Sequence, residues 1–256
     1  LISSAANSRI KNIVQIRTKS SARSEQNAYV VEGKKMFLEI PPEDILEVYV
    51  SEGFEQEGEN QELLGNLSYE AVSDKVFKSI SDTVTPQGIL ALVRMKHYTL
   101  KDMKNKNRNI YLVLENVRDP GNLGTMVRTG EGAGISGIIM SRETVDIYNP
   151  KVIRSTMGSI FRVPFLYTDN LTETILEMKK DGIRIYTAHL KGESLYERSR
   201  DRQDAAIIIG NESAGVSNGL AGLSDALIRI PMCGRVESLN AAVSAALLMY
   251  DFLWNS

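Results

Sequence analysis

Residues 110–134, IYLVLENVRDPGNLGTMVRTGEGAG, decide the fold class of this chain. The apolar run from Ile110 to Leu114 has the length of a strand buried on both faces. The polar segment after it ends in Asp119-Pro120-Gly121-Asn122, where proline fixes one backbone angle and glycine relieves the next. A helix is then expected over about 121–132, with Asn122 and Arg128 near its start, where free N–H donors suit anions. Gly130, Gly132 and Gly134 are too frequent for a helix interior and should end it there. A buried strand emptying through a turn into a helix is the unit of a parallel α/β sheet, and such sheets bind ligands outside the carboxyl ends of their strands. The GEGAG run follows the helix instead of preceding it, which rejects a dinucleotide-binding turn.

The alternation continues downstream. Strands are expected at 137–140, 163–166, 183–188, 205–209 and 226–230, and helices at 149–156, 171–180 and 238–253. The pattern implies a parallel sheet with helices on both faces. Upstream, residues 101–109 (KDMKNKNRN) carry Met103 as their single apolar residue and read as a linker. Before them, Ile10, Ile13, Val14 and Arg17 have helical spacing, residues 34–40 read as a helix, and 29–31, 48–50 and 89–93 read as strands. This describes a small α/β domain without a nucleophile–base pair, suited to binding. The expected division is a binding domain at 1–100, a linker at 101–109 and a second domain at 110–256.

Of the 256 residues 43% are hydrophobic, enough for a sizeable core, and no apolar run approaches the length needed to cross a membrane. The opening residues lack the apolar stretch and cleavage site of a signal peptide. The single cysteine, Cys233, excludes an intramolecular disulfide and fits a reducing cytoplasm. One cysteine with His97 and His189 far apart makes no zinc ligand set, so no metal is expected. The net charge is −2, but it is unevenly spread. Arg9, Lys11, Arg17, Lys19 and Arg23 precede any acid, residues 36–74 hold no Lys or Arg, and basic residues return over 94–108. A polarised surface of this kind can steer a polyanion. Charge runs alone favour the plainer reading of solvated faces.

Two further segments carry chemistry. In residues 207–215 a strand empties into Gly210-Asn211-Glu212-Ser213-Ala214-Gly215, placing an acid at a strand terminus where glycine permits close backbone approach. A helix cap by Asn211 or Ser213 accounts for the same residues. In residues 230–248, IPMCGRVESLNAAVSAALL, an irregular loop with Pro231, Met232 and Gly234 leads to Ser238 and Asn240, which bracket Leu239 at the start of an apolar helix. Ala241, Ala242, Ala245 and Ala246 imply close approach of another element. Cys233 has no His nearby in sequence and reads as a bystander.

Taken in this order, the three segments resemble the SpoU (TrmH) branch of the SPOUT RNA methyltransferases, over about residues 108–256. The resemblance implies an α/β SPOUT domain with a trefoil knot, S-adenosylmethionine as cofactor, and methyl transfer to a ribose 2′-hydroxyl of structured RNA. It matches Arg128 to the catalytic arginine, Asn122 to the first-motif asparagine, Glu212 to the second-motif glutamate, and Ser238 and Asn240 to the third-motif Ser-x-Asn. It also implies a cofactor site of Thr187, Ala188, His189, Gly210, Asn211, Glu212, Ile230, Met232, Ser238 and Leu239. An arginine is a poor base at its high pKa, so the expected role of Arg128 is to bind phosphate and stabilise the developing alkoxide. The N-terminal domain resembles the family's small RNA-binding extension. Large-subunit ribosomal RNA is the first expected substrate and transfer RNA the second, with a homodimer formed through the C-terminal domain. A non-catalytic RNA-binding protein on the same fold is the alternative; the intact Arg128, Glu212, Ser238 and Asn240 argue against it. Base methylation by another SPOUT branch is a further alternative, against which the Ser-Leu-Asn run favours ribose.

Overall fold

A computed structural model describes residues 1–198 and 202–254. The chain forms two compact units, one of Leu1–Lys96 with Tyr148–Phe161, the other of His97–Ile147 with the residues from Arg162 onward. This division differs from the continuous one expected, because residues 148–161 sort with the N-terminal unit and 97–109 with the C-terminal one.

The first unit contains α1 (Ser8–Thr18), α2 (Ser20–Gln26), β1 (Ala28–Glu32), α3 (Lys34–Phe37), β2 (Ile45–Ser51), α4 (Glu52–Gln56), α5 (Gln61–Leu64), β3 (Glu70–Val72), α6 (Asp74–Ile80) and β4 (Ile89–Arg94). Its four strands lie in the order β1-β4-β2-β3. Ile10, Ile13 and Ile16 line one face of α1 and pack with Val76, Phe77 and Ile80 of α6 against Tyr49, Leu90 and Leu92. This is the hydrophobic stripe that spacings of three and four residues create. Asn7 caps α1 by accepting from the Arg9 amide at 2.9 Å. The N-terminal basic residues are less free than their run suggests. Arg23 is buried and donates to the carbonyls of Ile16 and Arg17, Arg17 donates to the Ser81 carbonyl, and Arg9 pairs with Glu70. These three consolidate the unit, and Lys11 and Lys19 remain exposed.

The second unit contains β5 (Ile110–Leu114), α7 (Pro120–Ala133), β6 (Gly137–Ser141), β7 (Phe165–Thr168), α9 (Leu171–Lys180), β8 (Arg184–Ser194), β9 (Ala205–Ile209), α10 (Asn218–Ala221), β10 (Ala226–Arg229) and α11 (Ala241–Trp254); α8 (Pro150–Thr156) lies in the segment that joins the first unit. Six parallel strands run in the order β10-β8-β9-β5-β6-β7. The central strands β5, β6 and β9 are buried along their whole length, which is why they are apolar without alternation. Leu171, Ile175 and Met178 of α9 pack with Leu220 of α10 on Tyr111, Val113, Ile139 and Ile208. Helices α7 and α11 pack on one another, and α11 also contacts β5 and β9.

The expected linker is part of this unit. Met103 is fully buried in its core, and Asn109 donates through Nδ2 to Asp204 at 2.9 Å. One apolar residue among polar ones was the only sign of this. Helix α7 includes Gly130 and Gly132 and ends at Gly134, whose φ is 85°. Gly130 packs against Ile135, whose Cδ1 would have to move for a Cβ there, since the two would lie 2.6 Å apart. Helix α11 begins three residues later than expected, at Ala241.

A buried ion pair ties the turn that follows β8 to α11. Arg198 Nη2 lies 2.7 Å from Asp251 Oδ2, with side-chain exposures of 1% and 5%, and the guanidinium sits 4.0 Å from the Phe252 ring centroid. Removing one partner leaves a buried charge uncompensated. Asp251→Ala should destabilise the chain by about 3–5 kcal/mol in urea denaturation, whereas Arg198→Met with Asp251→Leu should recover most of that loss.

Candidate active site

The site forms where β8, β9 and β10 end. The ladder between β10 and β8 jumps from Leu227 opposite Thr187 to Ile228 opposite Glu193. Residues 188–192, within β8, therefore have no partner in β10, and Ala188, His189, Leu190 and Lys191 become one wall of a cavity. Gly192 ends this stretch because a Cβ there would lie 2.5 Å from the Ile228 nitrogen. Gly210 has a similar reason: the chain returns over it, and a Cβ would lie 2.1 Å from the carbonyl carbon of Gly215. Backbone bonds between Asn211 and Gly215, at 2.9 and 3.1 Å, close this turn.

The cavity measures about 450 Å³, within the range of small-molecule sites. Nine of the ten residues expected around the cofactor line it: Ala188, His189, Gly210, Asn211, Glu212, Ile230, Met232, Ser238 and Leu239. Thr187 does not. It is fully buried in β8, and its hydroxyl is hydrogen-bonded to that of Ser224 at 2.6 Å, so its side chain holds the sheet together. Leu190, Lys191, Glu237 and Ser244 also line the cavity and were missed. The ladder jump that exposes the first two has no sequence signal beyond Gly192.

Beside the cavity the three segments join through side chains. Asn122, in the first turn of α7, donates through Nδ2 to Glu212 Oε1 at 2.9 Å. Its Oδ1 accepts from Asn240 Nδ2, also at 2.9 Å. Asn240 in turn caps α11, accepting from the amides of Ala242 and Val243 at 2.8 and 3.3 Å. Asp119 caps α7 by accepting from the Asn122 amide at 2.7 Å. The backbone amides of Arg118 and Asp119 point at Glu212, at 3.4 and 3.3 Å. Partial burial pushes the Glu212 carboxyl up, but the Asn122 amide and these backbone N–H groups outweigh it and hold its pKa below the ordinary carboxylate value. The helix cap expected from Asn211 or Ser213 falls instead on Ser217, which accepts from the Leu220 amide.

Arg128 lies elsewhere. It is six residues beyond Asn122 in α7, about 9 Å further along the axis, and is not near the helix start as expected. It is exposed, does not line the cavity, and among the described residues has no hydrogen-bond or ion-pair partner. Ser238 reaches the cavity, and Cys233 is exposed in the loop before it.

A lowered carboxylate pKa contributes stability that is present above the ordinary carboxylate value and lost as the pH falls through the folded value. The difference in melting temperature between the wild type and Glu212→Gln should therefore be largest at neutral pH and shrink in acid. A difference independent of pH would contradict the charge-dependent bonds at Glu212.

Two family profiles match the chain as continuous stretches, one in each half. The profile of the SpoU rRNA Methylase family matches residues 109–250, and that of the MRM3-like substrate binding domain matches residues 7–91. The chain is 32% identical over 251 residues to the 23S rRNA (guanosine(2553)-2′-O)-methyltransferase RlmP of Bacillus subtilis, covering 97% of each. Among solved structures, the AdoMet-bound rRNA methyltransferase of Sinorhizobium meliloti is 29% identical with a TM-score of 0.85, over 98% of this chain and 96% of that one. An RNA 2′-O ribose methyltransferase is 30% identical with a TM-score of 0.82, over 98% and 97%.

Proposed function

Because the chain belongs to the SpoU rRNA methylase family, we propose that it methylates a ribose 2′-hydroxyl of large-subunit ribosomal RNA, using S-adenosylmethionine. The observation that carries this reading is the chain of bonds Glu212–Asn122–Asn240 beside a cavity that nine of the ten expected cofactor residues line. The cavity fits a nucleoside-bearing cofactor. Apolar Ile209, Ile228, Ile230, Met232 and Leu239 offer a surface for a base, Gly210 brings bare backbone to it, and Ser238 and Glu212 add polar groups. When bound, the cofactor supplies the methyl group from its sulfonium. The ribose oxygen would take that methyl as the sulfonium S–CH3 bond breaks, leaving the cofactor as a neutral thioether, and the hydroxyl proton would pass to water. The chain's own residues orient the reactants: the amide chain fixes the loops around the cavity, and Glu212 presents a fixed negative charge at its rim.

Arg128 belongs to this proposal as the group that holds an RNA phosphate and stabilises the developing alkoxide. Its guanidinium, exposed and without a partner among the described residues, suits a phosphate. Because it does not line the cavity of its own chain, the role requires a second copy. A homodimer through the C-terminal domain supplies one. Helix α11 buries Ala242, Ala245, Leu248, Met249 and Phe252, yet its outer face exposes Val243, Leu247, Tyr250 and Trp254, the last by 73%. Gly132, one turn of α7 beyond Arg128 and exposed like it, lies beside the Tyr250 hydroxyl of that apolar face. The trefoil knot and a cytoplasmic location complete the proposal. Among the described residues no helix is long and apolar enough to cross a membrane.

Mapping ribose methylation across total RNA with and without the gene tests the function. One position in large-subunit rRNA should lose its methyl, and an unchanged map would contradict the proposal. In vitro, Arg128→Ala should abolish transfer with cofactor binding intact, and Arg128→Lys should also be poor because an ammonium lacks the planar fork. Mixing inactive Arg128→Ala with inactive Asn240→Ala chains should restore part of the activity, since mixed dimers hold one complete site. No recovery after subunit exchange would contradict the shared site.

A further inference from the structure

Two residues at the end of β5 hold the loop that shapes the cavity, and neither has been given a part in the reaction above. Asn116 has a φ of 58°, a left-handed conformation that few residues other than glycine and asparagine adopt readily. Its neighbour across the sheet locks it there. The Asn116 amide donates to Ser141 Oγ at 3.0 Å, and the same hydroxyl donates back to Asn116 Oδ1 at 2.8 Å. Thr144 Oγ1 lies 3.2 Å from that hydroxyl, and Ser141 and Thr144 are both buried. So held, the Asn116 carbonyl accepts from Asn211 Nδ2 at 2.9 Å. Asn211 Oδ1 then accepts from the amides of Ser213 and Ala214, at 3.0 and 3.1 Å, and so sets the shape of the turn that lines the cavity. Glu115 ties down the loop's other end, its Oε2 accepting from the Ser217 amide at 2.7 Å.

We propose that Asn116, locked by Ser141, is the positioning residue of the 210–217 loop and sets the affinity for S-adenosylmethionine. The inference rests on the cofactor reading above. Asn116 acts through the turn at Asn211, on cofactor affinity and not on the transfer step. The left-handed backbone is needed because it aims the carbonyl at Asn211, and the side chain is needed because Ser141 grips it.

Three full-length variants test this: Asn116→Gly, Asn116→Ala and Ser141→Ala. Glycine adopts the positive φ freely and keeps the carbonyl, losing only the side-chain acceptor. Alanine keeps the carbonyl but strains the backbone. By calorimetry with S-adenosylmethionine, Asn116→Gly and Ser141→Ala should each lose roughly three- to tenfold in affinity, the effect of one neutral hydrogen bond. Asn116→Ala should lose more. In steady-state transfer the KM for S-adenosylmethionine should rise by the same factors, with kcat at saturating cofactor held at the wild-type level. A merely structural role would lower kcat and melting temperature and leave no such split. Wild-type affinity in the variants, or a fall in kcat with KM unchanged, would overturn the inference. If Asn116→Ala does not fold, the other two variants decide it. A wild-type chain that binds no S-adenosylmethionine would overturn this inference and the cofactor reading together; a wild type that binds, with variants that bind equally, would overturn this inference alone.

Discussion

The amide of Asn122 donates to Glu212 and accepts from Asn240, and this one side chain makes a single site from three segments far apart in sequence. Each partner is also committed locally. Asn240 caps α11, Asp119 caps α7 through the Asn122 amide, and Glu212 is held by backbone N–H groups of the turn before α7. Both helix starts and the second-motif turn are thus fixed relative to one another by side chains, two of which, Asp119 and Asn240, also pair N–H donors of a helix start. The arrangement uses polar residues where a packed core cannot reach, at the solvent-facing end of a parallel sheet.

Backbone crowding does the rest of the shaping. Gly210 and Gly192 lie where another stretch of chain passes too close for any Cβ. At the first, the chain folds back into the turn; at the second, β10 pushes in beside β8 and residues 188–191, without a partner in β10, become cavity wall. The pocket is therefore a consequence of how two strands fit against their neighbours. The loop ties at Glu115 and Asn116 extend the same logic to β5. The chemistry proposed for Arg128 stands outside this frame. It connects with the one face of α11 that carries large apolar side chains exposed to solvent.

Strands β5 and β9 and helix α9 were legible to the residue, because fully buried apolar runs and a strong amphipathic stripe leave little alternative. The motif residues were legible through small and polar types gathered at strand ends, and the resemblance supplied their roles. Other features had no local signature. Met103 looked like part of a linker because its burial depends on Gly137 and its neighbours, far along the chain. Thr187 was expected to offer its backbone to the cofactor; its hydroxyl bonds Ser224, a tertiary contact with no local signature. The ladder jump in β8 arises from β10, some forty residues away, and the Glu115–Asn116 ties are tertiary contacts. Arg17 and Arg23 read as part of a basic run although each donates to backbone carbonyls of its own unit, and Arg9 pairs with Glu70 at the surface.

The most direct measurement is the chemical identity of the product. The purified chain, incubated with methyl-labelled S-adenosylmethionine and unmodified large-subunit ribosomal RNA, should place the label in one nucleoside, and digestion should recover it as a 2′-O-methyl ribose. Label recovered on a base, or no transfer while the cofactor is bound, would contradict the account.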